Sequence, residues 1–364
     1  MLPESRTPDE EFALPRFERT PRDVEGFLDE LQTFHDHFRS CFSRSEPRGP
    51  FFNSMVGQCS ALERKSMEPM ALEVAGGNVR GMQRFIRENI GDADKMRQTY
   101  QGLVAAEMGD PEGVLMVEAS GLGKKGKESV GVARQYGGAL GKVEHGQVGG
   151  CAAYASRHGY ALVDKRLCMP ETWFGEDYAE RRHTCHVPEE LRFHTKPQLA
   201  AEMVTAIRGE GRLPFKYGVA DGLYGHSPAF LDAIDACGGV TSLVAIPSDT
   251  RCWLQRPVTT EKTSQDKGAM RAQRVVAPEV AAPLTVAALA PHLPCSGWYR
   301  RRVSEGSKGP MAYAFARKRV TLCKDDLPER TVWLVIKRSL GAHPTDAFDI
   351  RNAPASAPLR LFGW

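Results

Sequence analysis

Residues 114–142, VLMVEASGLGKKGKESVGVARQYGGALGK, decide how this chain reads. Val114 to Val117 form a short apolar run, which predicts a buried strand, and the run ends on a carboxylate, Glu118. Directly behind it, Lys124 to Lys142 carries five cations, Lys124, Lys125, Lys127, Arg134 and Lys142, against one Glu. A buried strand that delivers an acid beside clustered cations suits a phosphodiester, because a carboxylate holds a metal ion and Lys or Arg holds phosphate. The glycines of the same stretch also suit turns.

The texture around this run is that of an α/β domain. Strands are predicted at Gln147 to Ala155 and Tyr160 to Met169, with His158-Gly159 as a tight connection, so the first three strands form a meander. A helix follows from about Pro197 to Arg208, with Leu199, Met203 and Ile207 at helical spacing. Tyr217 to Asp221 reads as a strand ending on an acid; a helix over Ala229 to Ala236 and a strand over Thr241 to Ile246 come next. The order β-β-β-α-β-α-β is that of a ribonuclease-H-like mixed sheet with flanking helices. In that topology the first and fourth strands are parallel neighbours, so Glu118 and Asp221 project toward one edge of the sheet. Two-metal phosphoryl transfer needs such converging carboxylates, which hold two ions about 3.5–4 Å apart.

Before this core, residues 1–110 read as a helical domain that is a candidate for DNA binding. Thr20-Pro21 starts a helix whose face is marked by Val24, Phe27, Leu28, Leu31, Phe34 and Phe38. A Pro/Gly/Ser-rich break at Ser43 to Gly49 precedes helical segments around Met55 to Val74, Val79 to Ile90 and Lys95 to Met108. The catalytic core takes residues 111–248, an insertion 249–329, and a last core strand, Arg330 to Leu340, with its tail 330–364. The insertion is rich in Pro, Ala and basic residues, with strands expected near Trp298 to Val303 and Met311 to Val320. Arg300 to Arg319 holds seven Lys/Arg against one Glu. Trp298, Tyr299, Arg300, Arg301 and Arg302 suit a DNA-contacting patch, an aromatic stacking on an unpaired base while guanidiniums hold phosphates; a solvated basic face around a core Trp fits the same residues.

The whole-chain numbers exclude several classes. With 364 residues, 41% hydrophobic and a net charge of +3, this is an ordinary globular composition of two or three domains. Nine cysteines without a C-x-x-C pair read as reduced thiols, which points to the cytoplasm. The opening MLPESRTPDEEF has no apolar core of a signal peptide, and no window approaches about 18 uninterrupted apolar residues, so no membrane role is expected. His183, Cys185, His186 and His194 fit no common zinc spacing. There is no G-x-x-x-x-G-K-[ST] loop, G-x-S-x-G elbow or H-E-x-x-H helix. Asp164, in LVDKRL, suits either a group near the acids or a salt bridge with a neighbouring Lys or Arg.

Five segments in order carry a resemblance. KKGKESVGVARQYGGALGK (124–142), LVDKRLCMPETWF (162–174), FHTKPQLAAEM (193–203), VADGLYGHSPAFLDAI (219–234) and RTVWLVIKRSL (330–340) are similar to successive blocks of bacterial insertion-sequence transposases of the DDE superfamily. The resemblance spans roughly Met55 to Trp364. It implies a ribonuclease-H-like catalytic domain in which three acids hold two divalent ions, Mg2+ or Mn2+. The implied partner is double-stranded DNA at the inverted repeats of a mobile element, with cleavage and strand transfer as the reaction and a homo-oligomer as the working form.

Carried over by position, Asp221 in VADGLYG matches the second catalytic Asp, with Gly222 where an acid often follows, and Glu118 falls where the family places its first Asp. Glu118 and Asp221 are thus the expected catalytic and metal-binding residues. Displacing a ligand by about 1 Å costs on the order of a hundredfold in a positioned reaction, so the added methylene of Glu118 predicts impaired activity. The resemblance also implies a helix bearing a third acid after Leu340. Only Asp346 and Asp349 remain there, in a Pro/Ala-rich tail without helical spacing. The expectation is a carboxy-terminally truncated, impaired DDE transposase. The alternative is a catalytically inactive, DNA-binding remnant.

Overall fold

A computed structural model of the chain describes residues 21–88, 91–126, 129–137, 142–266, 269–306, 309–341 and 343–356. It divides between Ala106 and Glu107 into two compact units. The first is helical: α1 (Pro21–Asp36), α2 (Arg48–Cys59), α3 (Met67–Glu73), α4 (Val79–Glu88) and α5 (Ala93–Met108). Proline opens α1, as its fixed φ and missing donor suit a first turn. Phe38, Cys41 and Phe42 form a core packed by Phe51, Phe85 and Tyr100. Of the face expected on α1, Leu28 stays 56% exposed, so the apolar stripe is only partly used. The helix expected over Met55 to Val74 is two helices, because Ser60 turns the chain out of α2, its hydroxyl donating to the Gly57 carbonyl at 2.7 Å.

The second unit is built on one mixed sheet. β1 (Val114–Gly123), β2 (Ala133–Gly137), β3 (Lys142–Ser156) and β4 (Gly159–Cys168) are followed by α6 (Ala179–Thr184), α7 (Lys196–Glu210), β5 (Tyr217–Ala220), α8 (Pro228–Ala236) and β6 (Thr241–Ile246). Their spatial order is β4-β3-β1-β5-β6, with β1 antiparallel to β3, parallel to β5, and β5 parallel to β6. This is the ribonuclease-H-like order read from the sequence.

α7 begins on a reciprocal cap between Thr195 and Gln198 and ends on Gly211 at φ 64°, a conformation natural to glycine. Its Met203 lies over Gly150 of β3, and Ile234 of α8 lies over Gly218 of β5. Since Gly150 and Gly218 share a face with Val117 and Leu115, these two helices cover the side of the sheet that buries Leu115, Val117 and Ala220.

The remaining strands are β7 (Arg251–Trp253), β8 (Thr259–Asp266), β9 (Ala269–Val276), β10 (Leu284–Thr285), β11 (Trp298–Gly306), β12 (Gly309–Lys324), β13 (Leu327–Ser339) and β14 (Asp346–Arg351), with α9 (Val286–Leu289) after β10. β8 and β9 pair as a separate ribbon; the others continue the main sheet from β6 through β14, β13 and β12. The tail after Leu340 therefore carries a strand that its Pro/Ala content concealed. Phe348 and Ile350 alternate inward against Ile246 and Val244. Arg338 grips Asp346 through two hydrogen bonds, of 2.7 and 2.8 Å, at its start. Asn352 accepts from the Ser242 amide and donates to Asp235, both at 2.8 Å, at its end.

Candidate active site

The site is set by the register of β1 on β5. Gly113, just before β1, is pressed against Tyr154 and Pro214: a Cβ there would stand 2.4 Å from the tyrosine hydroxyl and 2.7 Å from the Pro214 carbonyl oxygen. Its own carbonyl accepts the amides of Lys216 and Tyr217 at 2.9 and 3.2 Å. The flanking Glu112 carboxylate takes the Lys216 ammonium and the Tyr217 hydroxyl. Asp110 accepts from Arg157 at 2.6 Å, and its amide donates to Tyr154 at 2.8 Å. So anchored, Val114 faces Tyr217 and Val117 faces Ala220. One residue past the last rung, Glu118 lies close enough to Asp221 to feel its charge, on the face opposite α7 and α8 by strand alternation.

Glu118 does not end its strand, as the sequence suggested: β1 runs on to Gly123, paired with β3 throughout. β5 does end at Ala220, and Asp221 opens a tight turn in which its Oδ1 accepts the Leu223 amide at 2.9 Å. The Glu118 carboxyl is held above the ordinary range, first by partial burial and then by the charge of Asp221, although the side chain reaches solvent. A carboxylate whose ionisation is disfavoured by a neighbouring negative charge is relieved by a cation held between the two. Hard oxygen donors of this kind fit a divalent ion such as magnesium.

Two further groups belong to this setting. Tyr224, in the same turn, is fully buried, and among the described residues its hydroxyl has no hydrogen-bond partner. Burial pushes its phenol up, and the charges of Asp221 and Glu118 add to the effect. Asp349 of β14 faces Ala245, which continues the rung Glu118–Asp221 across β6, so the three acids share one row and one face with Ala245 between the last two. Burial raises the Asp349 carboxyl against the opposing charge of Lys337. Among the described residues no three His, Cys, Asp or Glu side chains group closely enough to hold a metal ion.

The other sequence candidates fall elsewhere. Lys124 and Lys125 follow β1, Arg134 is exposed on β2, Lys142 opens β3, and Lys127 lies outside the described residues. Arg300, Arg301 and Arg302 are exposed on β11, separated from β5 by β12, β13, β14 and β6, so the structure does not bring them to the acids. Strand alternation also splits them, Arg301 facing away from the other two. Trp298 packs under the Arg338 guanidinium at 4.1 Å. Asp164 pairs with Arg166 at 2.8 Å and lies opposite Ala152, on the other face from the acids. His183 and His186 line a cavity of about 680 Å3 together with Arg182, Arg192 and Phe193, and neither acid reaches it. Reading the sequence alone missed Gly113, Tyr224 and the placement of Asp349. The one available signal was the position of Tyr224, three residues beyond Asp221.

An acid pair set at two parallel central strands of a ribonuclease-H-like sheet is an arrangement suited to a divalent ion of the kind phosphoryl transfer uses. The sequence pattern of the DDE superfamily endonucleases matches residues 37–310, and the chain belongs to that family. It is also similar to the "Probable transposase for insertion sequence element IS701" of Microchaete diplosiphon, at 25% identity over 285 residues. That match covers 78% of this chain and 65% of the relative, so the chain spans less than two thirds of the relative's length. No helix among the described residues is long and apolar enough to cross a membrane.

Proposed function

We propose that this protein is a DDE transposase that acts in the cytoplasm on double-stranded DNA at the ends of an insertion sequence, cutting and rejoining strands. The observation that carries this reading is the juxtaposition of Glu118 on β1 with Asp221, the first residue beyond the parallel neighbour β5. Glu118 and Asp221 would hold the divalent ions, Mg2+ or Mn2+, which when bound would supply activation of the attacking oxygen and support of the leaving one. The chain's own part is to fix the two carboxylates through the Gly113 and Glu112 anchors. The test is nicking of supercoiled plasmid with magnesium. The reading expects cleavage that Asp221→Asn abolishes without unfolding the protein; cleavage that survives this change contradicts it.

A second reading is that the chain binds DNA but cuts it poorly or not at all. Glu118 in place of Asp, and the absence of a third converging ligand among the described residues, favour it. Salt-sensitive DNA binding without magnesium-dependent nicking is its signature.

A further inference from the structure

β1 outruns its parallel partner. β5 stops at Ala220, opposite Val117, while β1 continues through Ala119–Gly123, flanked there by β3 and then by β2. The result is a three-stranded ribbon, β1-β3-β2, that projects past the acid pair. Its base is built rather than loose. Gln135 Nε2 donates to the Gly146 carbonyl at 2.8 Å and Gln147 Nε2 to the Val130 carbonyl at 2.5 Å. The fully buried Trp173 ring donates from Nε1 to the Val132 carbonyl at 2.9 Å. At Gly146 a Cβ would lie 2.6 Å from the Leu122 carbonyl oxygen, so glycine lets β1 and β3 close on each other.

One rung of this ribbon carries a cation at each edge, with a histidine between them. Gly123 faces Gly146, and the next residue, Lys124, donates its amide to the His145 carbonyl at 2.9 Å; His145 in turn faces Arg134. Lys124, His145 and Arg134 therefore stand in one row, and by strand alternation that row is on the same face as Glu118. Arg134 and His145 are exposed and Lys124 is half-buried. Among the described residues no carboxylate is paired with any of them. Two cations held on one face of a fixed ribbon favour a polyanion, whose phosphates can pair with both.

We infer that the Lys124–His145–Arg134 rung grips the backbone of the duplex flanking the bond that the acid pair addresses. Six residues of strand separate Glu118 from Lys124, a distance of about 20 Å, or about six base pairs of B-form DNA. The rung thus holds phosphates roughly half a helical turn from the acids and sets the direction in which the duplex leaves them. This inference rests on the proposed function in taking DNA as the partner, and adds which surface holds it.

The test compares wild type with the double variant Lys124→Ala/Arg134→Ala, with Arg300→Ala/Arg302→Ala as a control for charge lost elsewhere. Binding of a fluorescent duplex of about 40 base pairs is measured by anisotropy across a salt series. Loss of two phosphate contacts lowers the slope of log Kd against log salt by about 1.8, so the gap between wild type and ribbon variant narrows about tenfold from 50 to 200 mM salt. Melting temperature is expected to hold in the ribbon variant, as for most surface substitutions, and Mg2+ binding by calorimetry to be unchanged. An unchanged slope in the ribbon variant, or no binding of duplex by wild type, overturns the inference. If the slope falls as expected while wild type shows no magnesium-dependent nicking, the rung stands and the nuclease reading is the one that fails.

Discussion

Glu118 of β1 and Asp221, the first residue beyond β5, stand one step past the last rung of a parallel ladder and act on each other's charge, although about a hundred residues of chain separate them. Nothing local to either segment brings them together. Their meeting depends on the β1–β5 register, and that register is pinned at the far end of the ladder by the Gly113 carbonyl and the Glu112 carboxylate.

Gly113→Ala should therefore act on the acids from four or five residues away. A methyl group has no room between the Tyr154 hydroxyl and the Pro214 carbonyl, so the start of β1 must move. Overpacking of this kind costs about 2 kcal/mol or more. Thermal melting should show the loss, and any residual folded protein should bind Mn2+ more weakly than wild type. An unaltered melting temperature would show that the register is held elsewhere.

Asp349→Asn should be stabilising, in a pH-dependent way. Burial holds the folded-state pKa above the unfolded one, so the protonated carboxyl is the form the fold prefers. Its contribution is complete below the ordinary carboxylate range and is lost as pH rises through the raised value. The Asn variant should melt above wild type at about pH 8, and the difference should fade toward about pH 4. A variant that melts lower at neutral pH would mean that Lys337 outweighs burial.

Tyr224→Phe removes a buried hydroxyl that has no partner among the described residues. An unsatisfied buried donor is a cost, so denaturant unfolding should show a variant as stable as wild type or more stable by about 1 kcal/mol. A loss of stability would reveal a partner for the hydroxyl.

Much of the core was legible because its signals are local. The apolar run at Val114 to Val117, the helix periodicity of Leu199, Met203 and Ile207, and the strand ending at Asp221 gave the ribonuclease-H-like order directly. The strands that escaped are those whose pairing is decided at long range. β2 is short and sits among glycines, and it is a strand only because β3 offers it an edge. The overrun of β1 past Glu118 is polar and glycine-rich, held by β3 rather than by its own propensity. β14 reads as a tail until Arg338 and Ser242 are seen fixing its two ends between β13 and β6. The same limit hid Asp349, whose place in the acid row depends on two successive registers.

The central claim, that Glu118 and Asp221 together form a cation site, is tested most directly by calorimetric titration of Mn2+ into wild type, Glu118→Gln and Asp221→Asn. Saturable binding in wild type that is lost in both variants, with melting temperatures no lower than that of the unliganded wild type, is the predicted result; binding that persists undiminished in either variant would contradict it.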